Sequence, residues 1–228
     1  MSKRLARPKK QAIYGSLQQS IDLLGKSKVL VAGEVAPHWH YGTPGKIPIR
    51  YTEETFRRCA DLNKQGSSDW RLVYVTGRSL REQRQIVGVD TNHQPCFFNN
   101  DWWLKDQEND WATRNSESGY HLLDFKGRFG RTSWQRQEEE IVKLAEEWNL
   151  PVKRADEHII SEAAISNYQI NKERLLRTWY HWGYSLGFGR VRVFVGCFYQ
   201  FGWCVDRSHP GFVGGDCLRV CLSLEFQN

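Results

Sequence analysis

Leu175-Leu176-Arg177-Thr178-Trp179-Tyr180-His181-Trp182-Gly183 opens the stretch that decides the fold. Tyr184-Ser185-Leu186-Gly187-Phe188-Gly189-Arg190 and Val191-Arg192-Val193-Phe194-Val195 follow. After Gly196 come Cys197-Phe198-Tyr199-Gln200-Phe201-Gly202-Trp203 and a Gly/Pro-rich loop, and then Leu218-Arg219-Val220-Cys221-Leu222-Ser223-Leu224. Val191, Val193 and Val195 alternate, as do Leu218, Val220, Leu222 and Leu224. Each set lines one face of a strand and is expected in the core. If the valines point inward, Tyr184, Leu186, Phe188 and Arg190 point outward. Cys197, Tyr199, Phe201 and Trp203 have the opposite parity, so a bulge or turn at Gly196 is needed to bring them to that outer face. The expectation is a rigid sheet with one large, aromatic-rich exposed surface, and such surfaces usually bind something.

The run Trp179-Tyr180-His181-Trp182-Gly183, with Arg190-Val191-Arg192-Val193, Val195-Gly196 and Leu218-Arg219-Val220, resembles the C-terminal variable region of proteins diversified by retroelements. The resemblance covers about the last fifty residues. It reaches weakly upstream to Asp69-Trp70-Arg71-Leu72 and Gly119-Tyr120-His121-Leu122-Leu123-Asp124. It implies an α+β, C-type lectin-like fold, with a twisted antiparallel sheet, flanking helices and long loops. It also implies ligand binding by a hypervariable surface, because that family's reverse transcriptase randomises chosen codons on a fixed Gly/Trp/Val framework. The binding residues would be Tyr184, Leu186, Phe188, Arg190, Cys197, Tyr199, Phe201 and Trp203, with loop residues Arg207, Ser208, His209, Phe212, Val213 and Asp216. Trp203 and Gln200 depart from the codon bias of adenine-directed randomisation and suit a framework better. The partner implied is a protein or cell-surface macromolecule, in a viral or microbial setting.

Of a net charge of +6, five positive charges lie in the first ten residues (Lys3, Arg4, Arg7, Lys9, Lys10), which leaves a body of +1. The basic balance is therefore mostly a property of the tail, and nucleic acid is the less favoured partner. The alternative function is nonetheless a nucleic-acid-binding module using this arm with Arg190, Arg192 and Arg207. Residues 1–12 read as a disordered basic arm and 13–228 as a single domain. No apolar run approaches the roughly 18 residues of a membrane span. The basic N-terminus lacks the apolar region of a secretory signal, so a cytoplasmic or virion-associated location is expected. The six cysteines (59, 96, 197, 204, 217, 221) form no CxxC pair and are expected to be reduced thiols. On one straight strand Cys217 and Cys221 would lie about 13 Å apart, beyond the roughly 7 Å a disulfide allows.

Along the chain, Ser16 is expected to cap a helix carrying Leu17, Ile21 and Leu24 that ends near Gly25. Lys28 to Ala32 reads as a short strand, and 34–48 as a loop whose His38 and His40 pack it. Thr52 opens a helix with Glu53 and Glu54 in its first turn and Gly66 beyond its end. Trp70 to Val75 is a strand, and the capping box Ser79-x-x-Glu82 opens a helix through Val87. Residues 88–118 read as a long loop pinned by Trp102, Trp103 and Trp111. Leu122 to Phe125 is a short strand. Thr132 or Ser133 caps a helix to Trp148, its Glu138-Glu139-Glu140 run facing solvent, and Pro151 stops it. Asp156 caps a further helix with Ile159, Ile160, Ala163 and Ala164. The stretch 130–175 reads as a helical insertion, and 180–224 as the variable region.

No hydrolase elbow, P-loop, dinucleotide fingerprint, kinase set or HExxH helix is present. The triplets with which sugar-binding lectins hold calcium are missing too, and His93-Gln94-Pro95-Cys96 lacks the acid a hard cation wants. Formylglycine-generating enzymes share the lectin-like fold and use late cysteines, but the spacing of Cys217 and Cys221 keeps those two apart. His181 reads as a packed histidine. The expectation is a non-enzyme with no catalytic residues, no metal and no cofactor.

Overall fold

Short polar residues start the helices, and the caps form where the spacing places them. The computed structural model describes residues 16–30, 49–105, 110–213 and 215–226. The expected basic arm, the end of the first strand and the His38/His40 loop lie outside the described residues. Helix α1 spans Leu17–Leu24, with Ser16 and Gln19 closing a reciprocal capping box. Helix α2 spans Glu53–Lys64 behind Thr52, and α3 spans Leu80–Val87 behind the Ser79/Glu82 box. The short α4 covers Trp102–Lys105 within the long loop. Ser133 caps α5 (Trp134–Trp148), and Asn149 ends it in the left-handed region. Asp156 caps α6 (Glu157–Asn171) through a bond from the His158 backbone N–H at 2.8 Å.

The strands are β1 (Val29–Leu30), β2 (Trp70–Val75), β3 (Gly119–Arg128), β4 (Val152–Arg154), β5 (Tyr180–Gly187), β6 (Val191–Tyr199), β7 (Gly202–Ser208) and β8 (Leu218–Leu224). They form one sheet in the order β1-β2-β3-β8-β5-β6-β7, with β4 also on β8. The protein is thus mixed α+β. The sheet is not wholly antiparallel as expected, because β1 runs parallel to β2 and β5 parallel to β8. The second contact spans only Tyr180↔Leu218 and His181↔Arg219. Strand β8 organises the sheet. One of its edges carries β3, and the other is shared between β5 at 218–219 and β4 at 222–224.

Both faces of the sheet are covered. On one, Trp70, Leu72, Val220, Leu222 and Leu224 pack with residues of α1, α2 and α5. On the other, Val73, Val75, Val193, Val195 and Val205 pack with α6 and the loop tryptophans Trp103 and Trp111. Burial on both faces explains why all six residues of β2 are buried instead of alternating. The sequence 130–175 is woven into this arrangement: β4 pairs with β8, and Glu157 to Asn167 of α6 are all buried. Val191, expected in the core, is half-buried because it starts β6 at the hairpin turn. The run Glu138–Glu140 does more than face solvent, since Glu138 accepts from the fully buried Arg154 at 2.6 Å. Among the described residues no helix is long and apolar enough to cross a membrane.

Candidate functional site

Alternation on β5 and the turn after it decides what is displayed. Tyr184, Leu186, Phe188 and Arg190 are exposed, and Phe188 most of all at 71 %. Nine large hydrophobic residues are exposed among the described residues, and seven of them fall between 184 and 213: Tyr184, Leu186, Phe188, Tyr199, Phe201, Phe212 and Val213. Arg207, His209 and Asp216 are exposed beside them, and Ser208 is half-buried.

The register divides these residues into two patches, where the sequence suggested one face. Leu186 pairs with Arg192 and Arg192 with Ser208, so Phe188, Arg190 and the start of the 209–213 loop share one end of the strands. Tyr199 and Phe201 flank the opposite hairpin turn, eight residues along β6 from Val191. That is about 26 Å at a strand's rise. Phe98 joins this second patch, its backbone N–H donating to the Trp203 carbonyl at 2.8 Å.

Two expected surface residues are buried. The parity change does occur: the β6–β7 register shifts between Gly196 and Tyr199, with φ of 138° at Gly196 and 49° at Cys197. A side chain at Gly196 would strike the Trp179 carbonyl, so the bulge needs glycine there. The bulge carries Cys197 outward, but beside Trp179, to whose carbonyl its backbone N–H donates at 2.9 Å, and it stays 7 % exposed. Phe198 then faces the core and opposes Trp203, their rings edge to face at 5.6 Å. Trp203 is fully buried, and its indole N–H donates to Ser161 Oγ at 2.7 Å.

The residues that hold the first patch in place lie outside the 180–224 stretch. The Trp134 indole N–H donates to the Gly183 carbonyl at 3.0 Å, and its backbone N–H donates to the Pro210 carbonyl at 2.9 Å. Its ring has the Arg154 and Arg192 guanidinium groups at 4.7 and 4.0 Å from its centroid, which ties α5 to β6 by cation–π contacts. Glu157, fully buried, accepts from the Tyr184 backbone N–H at 2.9 Å and from the Ser185 hydroxyl. Any side chain on Gly183 would collide with that carboxylate. No periodicity announced these braces, because each joins elements distant in sequence.

Asp156, Glu157 and His158 bring three ligand-type atoms within 4.8 Å of one another. Their bonding is already closed. His158 Nδ1 lies 2.8 Å from Asp156 and Nε2 lies 2.7 Å from the Trp111 carbonyl oxygen. Arg114 reaches Asp156 at 2.9 Å and Glu157 at 3.4 Å, placing a cation where a metal would sit. Burial pushes the Asp156 carboxyl up, but the His158 bond and the Arg114 charge outweigh it and hold the group well below its ordinary value. Burial likewise opposes charge on His158, yet Asp156 and Glu157 raise it above its ordinary value. The group acts as an ionic brace at the start of α6. Late in the chain, Cys217 is exposed while Cys221 is buried, with its thiol 3.1 Å from the Asp124 carbonyl.

Two other histidines make the fold acid-sensitive. Burial pushes His181 down to about 3 and His121 down to about 4. Both stay neutral in the folded chain, whereas an unfolded histidine titrates near ~6.5. Their contribution is fully present above about pH 6.5 and is lost as pH falls toward the folded values. His158 works in the opposite sense, contributing below about pH 6.5 and losing that contribution as pH rises through its raised folded value. Denaturant unfolding at about pH 4.5 is expected to show a loss on the order of 2 kcal/mol per neutral histidine relative to pH 7. A flat profile over that range contradicts the burial of both rings.

The chain matches no family model, no curated protein and no solved structure.

Proposed function

We propose that this chain is a ligand-binding display protein with a C-type lectin-like fold, of the kind whose C-terminal region a retroelement diversifies. Its target is a protein or another macromolecule at a cell surface. The observation that carries the reading is the concentration of exposed large hydrophobics between 184 and 213, on β5, β6 and the turns and loop beside them, next to strands whose alternate residues build the core. Aromatic and arginine side chains on a rigid sheet supply the anchors that dominate binding energy. Tyr184, Leu186, Phe188, Arg190, His209, Phe212 and Val213 form the principal contact patch, while Tyr199 and Phe201 form the second. Cys197 and Trp203 belong to the scaffold.

The nucleic-acid reading is weaker. Arg207 stacks on Trp102 at 4.4 Å and Arg192 on Trp134 at 4.0 Å, so two of its three arginines already pack on aromatic rings. A steep fall of affinity with salt is that reading's signature.

The test is made on the gene. Sequencing its surroundings is expected to find a reverse-transcriptase gene beside a near-copy of the codons for residues 180–224, differing mainly at adenines. A neighbourhood with neither counts against retroelement diversification and leaves a binding surface of fixed sequence.

A further inference from the structure

Cys197 and Cys204 face each other across the β6–β7 hairpin, a relation their sequence spacing does not suggest. Gly196 pairs with Cys204, and the next clear pair is Tyr199 with Gly202, so β6 holds one extra residue between them. Phe198 and Trp203 occupy the core as an edge-to-face pair, which assigns the bulge to Gly196 and Cys197, both opposite Cys204. Cys204 lies between the buried Trp203 and Val205 and therefore points to the outer face of the sheet. Tyr180 holds the same place: its Cα pairs with Gly196, and its ring packs on Phe194 at 4.9 Å on that face. Tyr180, Gly196 and Cys204 thus lie in one row across the sheet, with no side chain at Gly196 between the other two. A residue paired directly opposite Cys204 lies about 4.5–5.5 Å from it between Cα atoms; that residue is Gly196, and Cys197 follows it in the same bulge, close to the separation a disulfide needs.

We propose that Cys197 and Cys204 are a redox-sensitive dithiol that closes to an intrachain disulfide in the presence of a small-molecule disulfide such as oxidised glutathione. Cys204, the more exposed of the two, attacks the oxidant as its thiolate. The oxidant's S–S bond breaks, one glutathione thiol leaves, and Cys204 carries a mixed disulfide. Cys197 then attacks the Cys204 sulfur, the second glutathione leaves, and the Cys197–Cys204 bond forms. The protein gives up two electrons and two protons, and the oxidant becomes two thiols. Burial raises Cys204 to about 11 and also raises Cys197, so the pair resists oxidation near neutral pH and reacts faster as pH rises.

The closed loop contains Tyr199, Gln200 and Phe201. Oxidation therefore locks the hairpin tip that presents the second aromatic patch. This chemistry depends only on the hairpin geometry and holds whether or not the chain binds a partner.

The experiment treats the full chain with oxidised glutathione at about pH 9, followed by intact-mass and peptide mapping. The expected result is a loss of about 2 Da, a cross-link joining Cys197 to Cys204, and a melting temperature higher by about 5 °C that a reductant reverses. Cys204→Ser removes the cross-link, and Cys217→Ser keeps it. Separate glutathione adducts on the two cysteines, a cross-link from either to Cys217, or recovery of both as free thiols overturns the proposal. If Cys204→Ser does not fold, mapping of the unsubstituted chain decides alone.

Discussion

Trp203→Ala is expected to lower folding stability by about 3–5 kcal/mol, while Phe201→Ala, two residues earlier, changes it by less than about 0.5 kcal/mol. Both are large aromatics on the β6–β7 hairpin, and sequence parity groups them on one face. The structure separates them. Trp203 is fully buried against Phe198 and donates to Ser161, so alanine opens a cavity and orphans that hydroxyl. Phe201 is 56 % exposed at the turn and leaves little behind when truncated. Urea unfolding of the two variants measures the difference. Similar losses for both would mean that the bulge at Gly196 does not reset the parity as described.

The second large effect is at Glu157. Removing its carboxylate strands the Tyr184 N–H, the Ser185 hydroxyl and one of the Arg114 ion pairs at the buried start of α6. Glu157 itself is fully buried while Arg114 is partly exposed, so the two unsatisfied donors, at about 1–3 kcal/mol each, carry most of the cost, and Glu157→Ala is expected to lose about 3–5 kcal/mol. Glu157→Gln keeps one acceptor oxygen and is expected to lose less, about 1–3 kcal/mol. Because β5 shifts register between Trp182 and Leu186, the carboxylate also fixes how Tyr184 and Leu186 are presented. Hydrogen exchange should therefore quicken at Tyr184 in Glu157→Ala before the core strands respond. Unchanged protection at Tyr184 would mean that Glu157 does not brace this strand.

What the sequence disclosed depended on how local the physics was. The caps at Ser16, Thr52, Ser79 and Asp156 are decided within one helical turn and form as read, and of the two candidates Thr132 and Ser133 it is Ser133 that caps α5. The outward positions 184, 186 and 188 follow from period-two alternation, and the strand Trp70–Val75 from a short run of apolar and aromatic residues buried on both faces. Strand β4 went unseen because three residues carry no period, and its existence rests on pairing with β8. The burial of Trp203 and Cys197 needed the length of the bulge, which a glycine signals without measuring. The division of the surface into two patches needed the strand register. Trp134 and Glu157 were legible as helix residues, but their grip on β5 and the 209–213 loop comes from tertiary contacts.

The central claim is a fixed scaffold carrying replaceable surface residues, and a paired library tests it most directly. One library randomises Tyr184, Leu186, Phe188, Arg190, Tyr199, Phe201, His209, Phe212 and Val213. The other randomises Val193, Val195, Trp203, Val205, Val220 and Leu222, and both are scored for folded, protease-resistant protein. The account predicts that most members of the first library fold and that few members of the second do. Equal collapse of the two libraries would contradict it, because the exposed residues would then be part of what holds the fold together.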